Sequence, residues 1–241
     1  FNFSAVRMQN FINYCKALES KGISVCLQTS WYLNEILENT NSKIYCLVRG
    51  KKNQTSQERL QEQYKFYFEK DLSKYLNNRV FVVDGSISER NVGLTENVIK
   101  ILKDNVSTVI HTAARVKHYG EYKDFEKINI DGTRKIAEFC LENNFRLIHI
   151  SSISVSGNYL VKQDNRDLEF TENNLYIGQN YKDNVYVNSK FEAEKIVLEY
   201  MKKGLVSQIH RIGILSGRFT DGKFQENIEE NAFYTRIKSM V

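Results

Sequence analysis

The 241-residue sequence contains no proline, where average usage of about 5% would give about a dozen. A proline-rich linker or polyproline segment is thereby excluded. A chain lacking its loop-rich parts would show such a bias, and so would an AT-rich coding sequence. The four cysteines, Cys15, Cys26, Cys46 and Cys140, include no Cys-x-x-Cys pair, which argues against a metal site and against a disulfide scaffold. Cys46 and Cys140 sit within apolar patterns and read as small buried hydrophobes, which suits a reducing cytoplasmic setting. No run of about 18 apolar residues occurs, so no membrane span is expected. The opening FNFSAVRMQNF lacks the charged-then-apolar pattern of a signal peptide. The basic residues are dispersed and the net charge is only +5, so a nucleic-acid partner is not expected. Glycine is missing altogether between Gly22 and Gly50.

What remains is a soluble-protein composition, 41% hydrophobic and 26% charged, long enough for one sizeable domain or a domain and part of another. From Lys43 onward, β-rich runs alternate with helical periodicity. Strands are predicted at 43–48, 79–85, 107–114, 146–157 and 207–215. Helices are predicted at 56–76, 97–103, 122–143 (with Asn144 as the stop) and 185–204, the last closed by Gly204. Near-continuous Val, Ile and Leu in the strands predict a buried parallel sheet. The fold class is therefore α/β, a Rossmann-like doubly wound parallel sheet with helices on both faces. Ligands of such sheets bind at the carboxyl ends of the strands.

The chemistry is sought there. Tyr186-Val-Asn-Ser-Lys190 puts a phenol and an ammonium one turn apart on one helix face. A nearby ammonium favours the phenolate and makes the phenol a proton donor nearer neutral pH. Tyr119-Lys123 and Tyr234-Lys238 share the spacing, so spacing alone selects nothing. Only Tyr186 opens a long helix after a strand with a hydroxyl-rich end, Ser151-Ser152-Ile153-Ser154-Val155-Ser156-Gly157. His118, His149 and His210 lie on or beside apolar elements and read as packed residues. The Tyr64–Phe68 aromatic run reads as a helix packing face.

Ser152, Tyr186 and Lys190 resemble the Ser/Thr-Tyr-Lys triad of extended short-chain dehydrogenases/reductases. The stretches KIYCLVRG, VIHTAARVKHYGEY, FEKINIDGT, IHISSISVSGNYL, LYIGQNYKDNVYVNSKFEAEK and DGKFQENIEENAFYTRIKS carry the likeness further. Over about Trp31 to Met240 the chain resembles the thioester reductase domains that end nonribosomal peptide synthetases. The resemblance implies NADPH-dependent reduction of an acyl or peptidyl thioester, held on a phosphopantetheine carrier protein, to an aldehyde or alcohol. It implies that Tyr186 protonates the developing alkoxide, that Lys190 lowers the tyrosine pKa and holds the nicotinamide ribose, and that Ser152 binds the substrate oxygen. Arg49 matches the position that pairs with the adenosine 2′-phosphate, and Arg59 is a second phosphate candidate. His111, Thr112, Ala113 and Ala114 match the turn against which the cofactor lies, and Asn129 matches a helix asparagine that supports the site. A monomer without a metal is expected.

The same resemblance marks departures. The first strand should be followed by a Thr-Gly-x-x-Gly-x-x-Gly loop that brings the backbone to the pyrophosphate. Here the chain reads Leu27-Gln28-Thr29-Ser30-Trp31. A one-base shift of codons for the family's Ala-Thr-Gly-Phe-Leu-Gly accounts for Leu27, Gln28, Ser30 and Trp31, so an upstream frameshift is expected. Ser86 stands where an adenine-contacting Asp is usual, and Ile214 where an Asn is common. The expected organisation is an atypical segment at 1–30, the NADP-binding domain at 31–216, and at 217–241 the start of a truncated substrate-binding region. The alternatives are an inactive or non-catalytic fragment, a stand-alone acyl-CoA or carboxylic acid reductase, and a sugar epimerase/dehydratase.

Overall fold

The computed structural model describes the backbone course of residues 22–26 and, in full, residues 30–116, 119–157, 169–213, 221–223, 234 and 238–239. His118, Ile214 and most of the expected segments 1–30 and 217–241 lie outside the described residues.

Six strands form one parallel sheet: β1 (Gly22–Cys26), β2 (Ile44–Val48), β3 (Val80–Asp84), β4 (Val106–His111), β5 (Arg146–Ser152) and β6 (Ser207–Ile212). Their order is β3-β2-β1-β4-β5-β6, so chain direction across the sheet reverses between β1 and β4. The helices are α1 (Ser30–Asn39), α2 (Ser56–Phe68), α3 (Glu96–Asn105), α4 (Tyr122–Phe125), α5 (Asp131–Glu142) and α6 (Val185–Lys202). The sheet therefore takes its first strand from residues that the sequence places in an atypical segment.

Alternation along the buried strands splits the core into two layers. Tyr45, Leu47, Val109 and Leu147 pack with Ile136, Ala137 and Cys140 of α5 and Ile196 and Val197 of α6. Ile44, Cys46, Val48, Ile110, Ile148 and Ile150 pack with Leu33 and Ile36 of α1 and Leu60 and Tyr64 of α2. Each fully buried Leu or Ile side chain contributes about 1.5–3 kcal/mol relative to exposure.

Local signals explain the element ends. Thr55 and Glu58 form a capping box at the start of α2, the Thr55 side chain accepting from Glu58 N at 3.2 Å and Glu58 accepting from Thr55 N at 2.9 Å. α2 then stops at Glu69, which is left-handed at φ 55°, well before the predicted end at 76. The aromatic run at its end packs in part: Tyr64 is fully buried and Trp31 meets the rings of Tyr67 and Phe68 at 5.9 and 5.3 Å, whereas Phe66 is exposed. Asn144 stops the helix before β5 in the left-handed conformation, at φ 58°. The predicted continuous helix at 122–143 is interrupted: Glu126–Ile130, between α4 and α5, is a π-helical turn.

Candidate functional site

Three elements converge at the carboxyl end of β5. The strand ends at Ser152, whose hydroxyl caps the 3-10 turn Ile153–Ser156 by accepting from Ser154 N at 3.2 Å. α6 begins beside it. Asn184 caps that helix, its side-chain oxygen accepting from Tyr186 N at 2.9 Å and Val187 N at 3.1 Å. Tyr186 consequently lies in the first turn, where its phenol hydrogen-bonds the Ser152 hydroxyl. Lys190 follows one turn later, 4% exposed, and donates to Ile150 O at 2.7 Å.

The electrostatics differ from the sequence expectation. Burial pushes the Tyr186 phenol above its usual value, and the bond to Ser152 opposes the shift in part. Lys190 directs its ammonium at a β5 carbonyl, and burial brings its pKa down to about 8 against the pull of Glu194. In this arrangement the Tyr186 phenol is neutral at neutral pH and can donate a proton.

The π turn supplies the third part. An extra residue in the helix turns Asn129 inward, and such bulges recur at functional sites. Asn129 is 1% exposed, accepts from Arg115 N at 2.7 Å, and donates to Arg115 O at 3.0 Å and to Ser189 Oγ at 2.8 Å. Ser189 donates in turn to Tyr186 O at 2.8 Å. Asn129 thus ties the loop after β4 to the first turns of α6.

That loop holds Thr112, Ala113 and Ala114, which are half-buried or buried. His111 ends β4 and is 1% exposed, its Nε2 within 3.1 Å of Thr133 Oγ1. Its ring lies 5.3 Å from that of His149 on β5. Burial, with a contribution from Lys190, lowers the pKa of His111 to about 3 and that of His149 in the same direction. His149 has no hydrogen-bond partner at either ring nitrogen, and Ser151 has none at Oγ. His111 is buried within the sheet, Thr112 is half-buried, and Ala113 packs against the core layer of α5 and α6.

Arg49 and Arg59 are brought together at the carboxyl end of β2. Arg49 is exposed, and Arg59 reaches back from α2 to donate to Arg49 O at 2.7 Å. Asp84, at the end of β3, accepts from Ser56 Oγ at 2.7 Å and from Gly50 N at 3.4 Å, fixing the same corner. Ser86 is 9% exposed and accepts from Ser88 N at 3.3 Å. The arginine pair is on the far side of the β1–β4 switch from Ser152, Tyr186 and Lys190, as the order of strands requires.

Sequence reasoning gave no role to Asn184, Ser189, Glu194 or Arg211, and took Gln179 only as part of the family resemblance. Two signals were available: Glu194 follows Lys190 by four residues on an otherwise apolar helix face, and Arg211 interrupts a strand. Glu194 is fully buried and pairs with Arg211 at 2.8 Å. Among the described residues there is no cluster of three or more His, Cys, Asp or Glu placed to hold a metal, and no helix is long and apolar enough to cross a membrane.

Comparison with known proteins gives a consistent picture. An NAD-binding family model described as Male sterility protein matches residues 30–240. A Drosophila melanogaster protein named as a fatty acyl-CoA reductase is 33% identical over 129 residues, 51% of this chain and 25% of that protein. Among solved structures, the thiolation-reductase di-domain of an archaeal non-ribosomal peptide synthetase superposes with a TM-score of 0.79 at 32% identity, covering 95% of this chain and 64% of that one. The reductase domain of the aureusimine biosynthetic cluster gives 0.73 at 25% identity, covering 99% and 63%. The chain thus spans less than two thirds of each of these relatives.

Proposed function

The chain belongs to the NAD-binding family described as Male sterility protein, and on that premise we propose that it is the cofactor-binding part of a reductase that turns a carrier-bound acyl thioester into an aldehyde. The observation that carries this reading is the hydrogen-bonded Ser152–Tyr186 pair with Lys190 one turn away, at the carboxyl end of a parallel strand.

Two ends of an NADP cofactor find fitting residues. The exposed Arg49, with Arg59 folded against its carbonyl, offers two guanidinium groups to a 2′-phosphate, a task that suits their planar fork. This pair supports NADPH over NADH. Lys190 and Tyr186 offer hydrogen bonds to a ribose and a carbonyl at the other end. Residues 27–29, where a glycine loop would receive the pyrophosphate, read Leu-Gln-Thr.

NADPH, when bound, supplies a hydride to the thioester carbonyl carbon. Ser152 donates a hydrogen bond to the carbonyl oxygen and stabilises the charge that develops there. Tyr186 transfers its phenolic proton to that oxygen, giving a hemithioacetal. Its carbon–sulfur bond then breaks, releasing aldehyde and thiol. Lys190 keeps a positive charge one helical turn from Tyr186 as the proton leaves. Asn129, through Ser189, holds the backbone of Tyr186 in place.

A second reading, reduction of a free acyl-CoA, is favoured by the 33% identity to the fly protein. Calorimetric titration with NADPH, with NADH as control, tests the cofactor. Product analysis with octanoyl groups on coenzyme A and on a phosphopantetheine carrier separates the two substrates. Tight NADPH-selective binding and faster turnover of the carrier thioester are expected. A folded chain that binds neither nucleotide overturns the proposal.

A further inference from the structure

Beyond the pull of Glu194 on Lys190, the Glu194–Arg211 pair has no part in the chemistry above, yet it is the most completely buried ion pair among the described residues. Arg211 Nε lies 3.2 and 3.1 Å from the two Glu194 oxygens, and Nη2 donates to Glu194 Oε2 at 2.8 Å. The guanidinium also donates to Thr171 O from Nη1 at 3.1 Å and to Asn174 O from Nη2 at 2.7 Å. Phe170 packs its ring 4.7 Å from the guanidinium carbon. A buried ion pair contributes little net stability, because desolvation cancels most of the attraction, and an apolar pair of similar volume often does as well. Its directed hydrogen bonds are a different matter, since an apolar pair cannot supply them.

Those bonds end on a stretch without helix or strand that runs past the catalytic groups. Gln179 pins its other end: Nε2 donates to Leu175 O at 2.6 Å and to Val155 O at 3.1 Å, and Oε1 accepts from Ile177 N at 2.8 Å. Val155 belongs to the turn that Ser152 caps. Gly157, at φ +60°, lets Asn180 O approach to 2.5 Å of where a Cβ would sit. Tyr181 stacks on Phe191, the neighbour of Lys190, at 3.7 Å and 10°. Tyr176 meets both rings edge-on at 6.2 Å and leaves 63% of its surface exposed.

We infer that Glu194 and Arg211 are positioning residues that fix residues 170–181 as a wall between the Ser152 turn and α6, with Tyr176 as its exposed aromatic edge toward the acyl group. The acyl part rests on the reductase reading; the hold on the wall does not. Glu194 is one turn from Lys190, so one carboxylate serves both the catalytic helix and the wall.

The test replaces the pair by Glu194→Met together with Arg211→Met, which retains volume, and separately makes Arg211→Lys, which retains charge but not the fork. Hydrogen exchange of amides 171–181 is expected to quicken about tenfold or more in both variants, while exchange within α6 and β5 stays at wild-type rates. With octanoyl-pantetheine as probe, kcat/KM is expected to fall about tenfold in both variants, with the NADPH dissociation constant changed less than about twofold in Arg211→Lys, which retains Glu194. Unchanged exchange at 171–181 overturns the inference whatever the activity. Faster exchange with unchanged kcat/KM overturns the positioning role. A wild-type protein without reductase activity refutes the reductase reading, and faster exchange would then still support the hold.

Discussion

Tyr186 and Lys190 stand one turn apart, but burial rather than mutual attraction dominates the pKa of each. If Tyr186 is the proton donor proposed, Tyr186→Phe removes it and keeps the shape, so kcat is expected to fall about 10²–10⁴-fold with little change in melting temperature. Lys190 has a folded-state pKa of about 8 against an ordinary 10.5. Between these values the unfolded chain binds the extra proton, so stability rises with pH over about 8 to 10.5 and the burial cost is fully present below 8. Urea unfolding should show a gain of about 3 kcal/mol across that window that a Lys190→Met variant lacks. Activity should decline above pH 8 as the ammonium is lost. Gly157 occupies φ +60° with Asn180 O pressed against it. Gly157→Ala is expected to cost about 2–3 kcal/mol, read by denaturant titration, and to loosen residues 170–181.

At the scale of elements, the site depends on how helices start and where one of them is interrupted. The Asn184 cap places Tyr186 in the first turn of α6. Asn184→Ala should cost about 1 kcal/mol of stability. The π turn at Glu126–Ile130 aims Asn129 at Arg115 and Ser189. Asn129→Ala leaves buried donors and acceptors unpaired, a loss of about 1–3 kcal/mol on denaturant titration, with a fall in kcat that exceeds any rise in KM. Hydrophobic periodicity made the helix from 122 to 143 legible, but not its interruption. A bulge of one residue leaves apolar spacing nearly intact, and it is a buried asparagine with partners on two other elements that stabilises it. The early end of α2 at Glu69 escaped prediction for a similar reason: the helical pattern of the sequence continues past a left-handed residue that carries no glycine.

Over the whole molecule, two fully buried imidazoles on adjacent strands make acid a threat. His111 and His149 both have folded pKa values below the ordinary 6.5, His111 at about 3. Their stabilising neutrality is present above pH 6.5 and is lost as pH falls below it, for His111 down to about 3. A His149→Phe variant, whose ring needs no hydrogen-bond partner, should retain its fold to lower pH, read by circular dichroism. The coding DNA around residues 22–35 addresses the missing glycine loop directly. A shifted frame there is expected to spell Gly-rich codons, and its absence would sink the frameshift explanation.

The sequence by itself determined the parallel α/β sheet, because continuous Val, Ile and Leu runs have to be buried on both faces and the intervening amphipathic helices are what covers them. It also singled out a strand-end serine cluster with Tyr186 and Lys190 at the start of a helix, where sequence order dictates spatial neighbourhood, and the family resemblance picked Ser152 from that cluster. Only the tertiary structure decided the protonation state of the phenol, the direction of the Lys190 ammonium, and the link from Arg211 through Glu194 to the segment before α6. Those depend on dielectric surroundings and on hydrogen bonds between residues as far apart as Thr171 and Arg211, and neither quantity is written in local pattern.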